Sequence, residues 1–510
     1  MNKTLYRIFL IVSFLGMNAL LISGISAMLS YLNTGADRTS MLHLELATEK
    51  VYLPQLTWGN MDNPGRPMEK QTVGELEKDY LGAWHVRNVA YEKNDRFGID
   101  DYYTDSARIR LYEQIDLNQK NGNWYKGTTL AHHPELDFYS QDGTMVVFTD
   151  HDVEQYKEVY ENETLLFRKK DTATYQVMLL LEDGFWRIRH LKELERNQTK
   201  KEPIKTDKKR FLAQLDSIKG LNYYPQDAPW DTFGKKFDSL RLHNDFARIS
   251  QMGLNTIRIF IQYEDFGGAR VFPEKIALLQ KTMDLAEANG IKVIVTLFDF
   301  YGDYDVSNWT LTQRHAESVV QAIKTHPALL AWDIKNEPDL DFDSRKKDRV
   351  VSWLDMMLEK VALWDQKHPV TIGWSNPEVA SELAHKVDFV SFHYYRLPED
   401  FATAYSGLRA AVPNKKLVLQ EYGLSSYDGI WNAYTGSEED QAEYYKTMQA
   451  ALREKRIPFL FWGLYDFKNI PTSVVGRLPW RKAYQKYFGV LDKKGRPKQA
   501  YEHLTFPASE

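Results

Sequence analysis

The sequence predicts an α/β protein: a (β/α)8 barrel, preceded by a smaller α+β domain and an N-terminal transmembrane helix. Three observations carry this. After residue 217, eight short apolar runs alternate with helical segments. Residues 69–195 place helices first and long alternating strands after them. An uncharged, mostly apolar stretch over 8–31 follows Lys3 and Arg7.

A chain of 510 residues is long enough for two or three domains. Its 43% hydrophobic and 26% charged residues are globular proportions and exclude a disordered chain. The formal net charge of -5 carries none of the basic excess of a nucleic-acid binder. With no cysteine, disulfides, thiol catalysis and cysteine-bound metals are excluded. The 13 tryptophans and 30 tyrosines permit stacking platforms, although aromatic rings also serve as ordinary core.

The N-terminal apolar stretch matches the roughly 20 residues a membrane helix needs. The basic flank stays in the cytoplasm, so the rest of the chain is expected outside it, tethered to the cell membrane through residues 8–31. The alternative is a signal peptide cut after Ala27, giving a secreted or periplasmic protein. Residues 1–31 are thus anchor or signal peptide, and 32–68, irregular in pattern, a stalk.

In residues 69–195 the pattern predicts a helix over 69–95, a second helical stretch over 96–114, and strands over 143–153, 154–169, 172–183 and 184–194. That order resembles the NTF2-like cone. Such cones hold small ligands, which makes His132, His133 and Tyr139 candidate lining residues, although a spacer or carbohydrate-binding role suits the domain better. Residues 196–210, charged and without apolar periodicity, read as a linker.

Residues 211–510 form the predicted barrel, with strands over 217–224, 253–262, 291–300, 329–337, 369–375, 387–395, 416–423 and 457–467. Buried parallel strands read as short apolar runs. A doubly wound open sheet is the competing fold, but no glycine-rich phosphate loop follows the first strand. In a closed barrel the reactive groups stand at the C-terminal strand ends. There the sequence places Tyr224, Arg258, Asp299, Asn336-Glu337-Pro338, Trp374, His393-Tyr394-Tyr395, Glu421 and Trp462.

Glu337 and Glu421 each follow an apolar strand directly, so both should project from the barrel rim. Two carboxylates there suit glycosidic bond cleavage, one as acid and one across the sugar. Mutual repulsion keeps one of them protonated. The motifs WDIKNEP at 332–338 and LVLQEYG at 417–423, with Arg258, His393-Tyr394-Tyr395 and Trp462, resemble the retaining glycoside hydrolases of the cellulase, mannanase and β-galactosidase clan.

The resemblance spans about 217–505. It implies Glu337 as acid/base and Glu421 as nucleophile. It also implies Asn336 on the sugar 2-hydroxyl, Arg258 and Tyr395 holding Glu421, His393 on sugar or carboxylate, and Trp462 beneath the sugar. Tyr224, Asp299 and Trp374 are further candidate contacts, Tyr224 and Trp374 balanced against a core role and Asp299 against capping the loop after the third strand.

No cofactor or metal is expected: the zincin HExxH and the EF-hand pattern are both missing from the sequence. A serine-hydrolase elbow is missing too. The expected function is therefore a retaining β-glycosidase acting on a polysaccharide or oligosaccharide by double displacement. The alternatives are a transglycosylase acting on cell-surface or exported glycan, and a catalytically inactive carbohydrate-binding envelope module.

Overall fold

The computed structural model describes residues 52–63, 66–194, 208–432 and 436–506, with isolated positions between 16 and 24. In the N-terminal domain, helices α1 (Lys70–Lys93) and α2 (Asp105–Asn121) pack on a five-stranded sheet. Its strands are β1 (Gln55–Leu56), β2 (Asn123–Tyr139), β3 (Met145–Glu161), β4 (Thr164–Glu182) and β5 (Phe185–Glu193), hydrogen-bonded in that order. The β2–β5 pairs are antiparallel, and short β1 adds a parallel edge. Helix α1 buries Leu76, Tyr80, Ala83, Trp84 and Ala90 on one stripe, the 3–4 residue spacing of an amphipathic helix.

Two features depart from the pattern reading. Strand β2, which contains Lys126, Gly127, His132, His133 and Pro134, is a full 17-residue strand that apolar alternation did not mark. The run read as one strand over 154–169 is a hairpin, turning at Asn162 with φ 52°. His132 points inward and is fully buried, with Nδ1 2.7 Å from Asp150 Oδ2 and Nε2 2.8 Å from Thr129 Oγ1.

The barrel closes from β6 (Lys219–Asn222), β7 (Thr256–Gln262), β8 (Lys292–Asp299), β9 (Leu329–Asn336), β10 (Val370–Trp374), β11 (Val390–Tyr394), β12 (Leu417–Tyr422) and β13 (Phe459–Trp462). All neighbours are parallel, and β13 pairs with β6 to complete the circle. Helices α3 (Ser239–Gln251), α4 (Pro273–Ala288), α5 (Trp309–Ile323), α6 (Lys347–Trp364), α7 (Pro398–Ala411) and α8 (Glu438–Lys455) surround it. Turns alone connect β10 to β11. Close strand approach demands glycine at 220, where a Cβ would lie 2.1 Å from the Thr256 carbonyl oxygen.

The predicted membrane helix needs correction. Among the described residues, no helix is long and apolar enough to cross a membrane. The forecast rested on apolar run length, whereas a span also needs one continuous helix to satisfy its backbone polar groups. Within 8–31, helical geometry is described only at 16–18, 21 and 23–24, and the rest of the segment lies outside the described residues. The membrane as a partner and the single-pass localisation fall with it. Most of the 196–210 linker also lies outside the described residues.

The two domains share a packed face. Leu130 and Tyr156 of the N-terminal sheet belong to the barrel's own hydrophobic cluster, and the Tyr156 ring lies 4.3 Å from that of Trp309 on α5. Around this contact Lys126 meets Asp305 at 2.6 Å and Lys360 meets Glu154 at 2.6 Å. Part of the segment expected as a stalk also packs here: Arg314 donates to the Leu53 and Pro54 carbonyls at 3.0 and 2.6 Å.

Because the barrel sheet closes on itself, the fragment 205–510 should fold cooperatively. Its melting midpoint should lie below that of the full chain, since Trp309 loses its cover. Calorimetry of both proteins checks this. The absence of a cooperative transition in the fragment would mean that the barrel depends on the N-terminal domain to fold.

Candidate active site

The site is organised around Arg258, fully buried in the middle of β7. Its Nη2 donates to Asp333 Oδ2 at 2.6 Å and Asn336 Oδ1 at 3.0 Å. Nη1 reaches Glu421 Oε2 at 3.1 Å and Asn222 Oδ1 at 3.2 Å. Nε reaches Thr296 Oγ1 at 2.9 Å. A guanidinium offers five donors in a planar fork, so one side chain can tie five strands together. The nearby carboxylates of Asp333 and Glu421 outweigh burial and hold the guanidinium above its ordinary value.

Asp333 is locked in turn, with Oδ1 accepting from the Gly373 amide at 2.8 Å. Residue 373 must be glycine, because a Cβ there would sit 2.7 Å from Arg258 Nη2 and 2.8 Å from Gln420 Oε1.

Glu421 ends β12 and is 7% exposed. Both its oxygens are held: Oε2 by Arg258, and Oε1 by the Tyr395 hydroxyl at 2.6 Å. Burial, with the Glu337 charge adding to it, pushes the Glu421 carboxyl up, while His393, Arg258 and the Tyr395 hydrogen bond pull it down. The net direction is upward.

Glu337 stands at the turn from β9 into a short 3₁₀ segment, with φ 47° and ψ 53°. Such left-handed backbone is uncommon outside glycine and concentrates at functional sites. Its Oε1 lies 3.0 Å from His393 Nδ1. The β11–β12 register shifts between Phe392 and His393, the kind of irregularity that re-aims a side chain. His393 is fully buried, and its neighbouring carboxylates, Glu421 first, overcome burial and raise its imidazole.

Each of Glu337, His393 and Glu421 places a donor atom within 4.8 Å of the others. That spacing would also suit a cation. However, Glu421 already spends both oxygens on Arg258 and Tyr395, and the guanidinium repels a second positive charge. The donor set fits proton traffic between carboxylates better than metal ligation.

The cleft above these groups encloses about 1120 Å³. Asn336, Glu337, Tyr395, Glu421 and Trp462 line it. Two buried ring nitrogens, His393 Nε2 and Trp462 Nε1, have no hydrogen-bond partner among the described residues.

The weaker candidates sit differently. Tyr224 is 4% exposed and donates to Asp299 Oδ2 at 3.0 Å, and Asp299 Oδ1 accepts from Asn336 Nδ2 at 3.3 Å. These two residues stand behind Asn336. Trp374 is 1% exposed, packs toward Phe342 with ring centroids 6.2 Å apart, and does not line the cleft.

Sequence reasoning missed Trp230 and Phe300, which do line the cleft, each with positive φ, 60° and 58°. It also missed Asp333, Thr296 and Asn222 beneath it. Trp230 lies in a loop rather than at a strand end. Asp333 lies within an apolar strand, where a buried acid facing a buried arginine was the available signal.

Residues 219–468 match the family model Cellulase (glycosyl hydrolase family 5). Over this segment the closed barrel is similar to those of the glycoside hydrolases. The matched segment falls just short of half the chain and contains all eight barrel strands and both glutamates.

The chain is 24% identical over 306 residues to a β-glucuronidase of Chlorocebus aethiops, covering 55% of this chain and 42% of that protein. It thus spans less than half the length of the curated relatives it matches. Among solved structures it is similar to an exo-β-1,4-mannosidase from Opitutaceae bacterium strain TAV5, with 16% identity, 56% of this chain and 58% of that chain covered, and a TM-score of 0.46. A β-D-glucuronidase for Dictyoglomus thermophilum is similar at 14% identity, with coverages of 73% and 67% and a TM-score of 0.44.

Tyr395→Phe removes a hydrogen bond that favours ionised Glu421. The Glu421 carboxyl should then rise further, so a higher pH is needed to ionise it. The acidic limb of kcat/KM should shift upward by about one pH unit, the value of one hydrogen bond to a charge. A pH–rate profile of both proteins measures the shift.

Proposed function

We propose that this chain is a retaining β-glycosidase acting on polysaccharide or oligosaccharide by double displacement. One observation carries the reading: oxygens of Glu337 and Glu421 approach within 4.8 Å. Retaining pairs stand about 5–5.5 Å apart, whereas inverting pairs leave roughly 6.5–9.5 Å for a water between them. The electrostatics divide the roles. Glu421 is fixed by a permanent cation and a phenol, which suits a carboxylate that must be ionised and aimed. Glu337 faces a titratable imidazole, which suits a group that gives and retakes a proton.

Glu337 protonates the leaving oxygen while Glu421 attacks the anomeric carbon, forming a glycosyl ester. Glu337, now ionised, takes a proton from water as the water attacks, and the ester bond breaks with Glu421 as leaving group. Asn336, oriented by Arg258 and Asp299, would bind the sugar 2-hydroxyl, and Trp462 would lie beneath the sugar face.

A second acceptor is favoured by one observation. The outer cleft wall carries exposed Leu340, Leu397 and Tyr484, an apolar surface suited to a sugar ring. Transfer to a sugar would proceed through the same ester. For the N-terminal domain, the order of helices and curved sheet supports an NTF2-like cone.

The two glutamates should fail differently on an activated aryl β-glycoside. Glu421→Ala should lose turnover, because no nucleophile remains. Glu337→Ala should still form the ester but release it slowly, and azide should speed that release to give a β-glycosyl azide. Steady-state rates with and without azide read both. Equal, azide-insensitive losses in the two variants would sink the assignment.

A further inference from the structure

Helix α1 presents Trp84, Arg87 and Tyr91 at i, i+3 and i+7, one face directed at the sheet. Arg87 is anomalous there. Its guanidinium carbon lies 3.8 Å from the Trp84 ring centroid, and its Nε is buried with no hydrogen-bond partner. Among the described residues it takes part in no ion pair. The groups acting on it electrostatically are the phenols of Tyr80, Tyr91, Tyr103 and Tyr175.

The domain's own buried carboxylates are committed elsewhere. Asp79 accepts from the Trp186 amide at 2.8 Å. Asp150 accepts from Tyr80 at 2.6 Å, pairs with His132 at 2.7 Å and accepts the His133 amide at 2.7 Å. Glu158 holds Tyr156, Tyr160 and Arg168. Arg87 is partly exposed, and a cation this enclosed by aromatic rings gains from an anionic partner.

A second cation faces the same place. Lys157 on β3 lies 3.9 Å from the Tyr125 ring centroid, close enough to Arg87 for the two charges to repel. The acids within reach of Lys157 are Asp171 and Glu193. Asp171 is held by Lys169 at 2.6 Å, and Glu193 stands at the exposed end of β5. Tyr91 and Tyr125 meet edge to face at 5.8 Å, and Trp84 meets Tyr175 at 5.2 Å. Two cations are thus set among aromatic rings.

We propose that this end of the N-terminal domain binds a small organic carboxylate, its charge received by Arg87 and Lys157 and its body packed on Tyr91 and Tyr125. A carboxylate matches the planar guanidinium fork in two parallel hydrogen bonds, and aromatic faces take an apolar or sugar-like body. This site is separate from the barrel cleft and does not depend on the reaction proposed there.

The test is thermal unfolding and titration calorimetry of the full chain with sodium glucuronate, sodium acetate and glucose at fixed ionic strength. Both carboxylates should raise the melting midpoint with dose, and glucose should not. Arg87→Met should lose the response and should keep its turnover of a neutral aryl glycoside. Lys157→Gln, a smaller perturbation of the fold, should bind glucuronate at least tenfold more weakly.

No response to either carboxylate, an equal response to glucose, or an undiminished response in both variants would overturn the proposal.

Discussion

The geometry of the cleft depends on one buried charge. Arg258 cannot lose its proton, so its burial is tolerable only while Asp333 and Glu421 stay within reach. Asp333 meets that need from the barrel interior and is itself fixed by Thr296 and the Gly373 amide. Glu421 meets it from the rim, which orients the carboxylate before any sugar arrives. Asn222 and Asn336 take the remaining donors, so β6, β7, β8, β9, β10 and β12 all register on one guanidinium and its acid. Breaking such a buried pair by removing one partner commonly costs about 3–5 kcal/mol, so the arrangement binds the integrity of the barrel to the aim of Glu421.

The asymmetry between the two glutamates follows from that arrangement. Glu421 has a permanent cation and a phenol; Glu337 has an imidazole and a left-handed turn that swings it off the end of β9. Two carboxylates this close cannot both ionise freely, so they titrate as a pair with their neighbours. Arg258, with His393 and the Tyr395 hydrogen bond, favours charge on Glu421 against the effect of its burial.

Much of this was legible in the sequence because buried parallel strands read as apolar runs, and a polar residue ending such a run must face the rim. Glu337, Asn336, His393, Tyr395, Glu421 and Trp462 were accessible in this way, and they converge on one cleft. Residues that work from inside a strand or from a loop were not. Asp333 hides in an apolar run, Gly373 acts through the side chain it lacks, and Trp230 reaches the cleft from a connection of irregular backbone.

The apolar stretch over 8–31 predicts a spanning helix that no helix among the described residues matches. Strand β2 was overlooked because its solvent and interface positions carry Lys126, Gly127 and Pro134, which break alternation. The interdomain face, where Tyr156 covers Trp309, has no local sequence signature, because two partners 153 positions apart define it only after folding.

The central claim is that a carboxylate pair held by Arg258 cleaves the glycosidic bond with retention. The most direct measurement is the anomer first released by the unmutated enzyme from a β-glycoside, followed by proton NMR before mutarotation. The account predicts that the β-anomer appears first. An α-anomer released first would contradict it and would make Glu421 a base for water rather than the nucleophile.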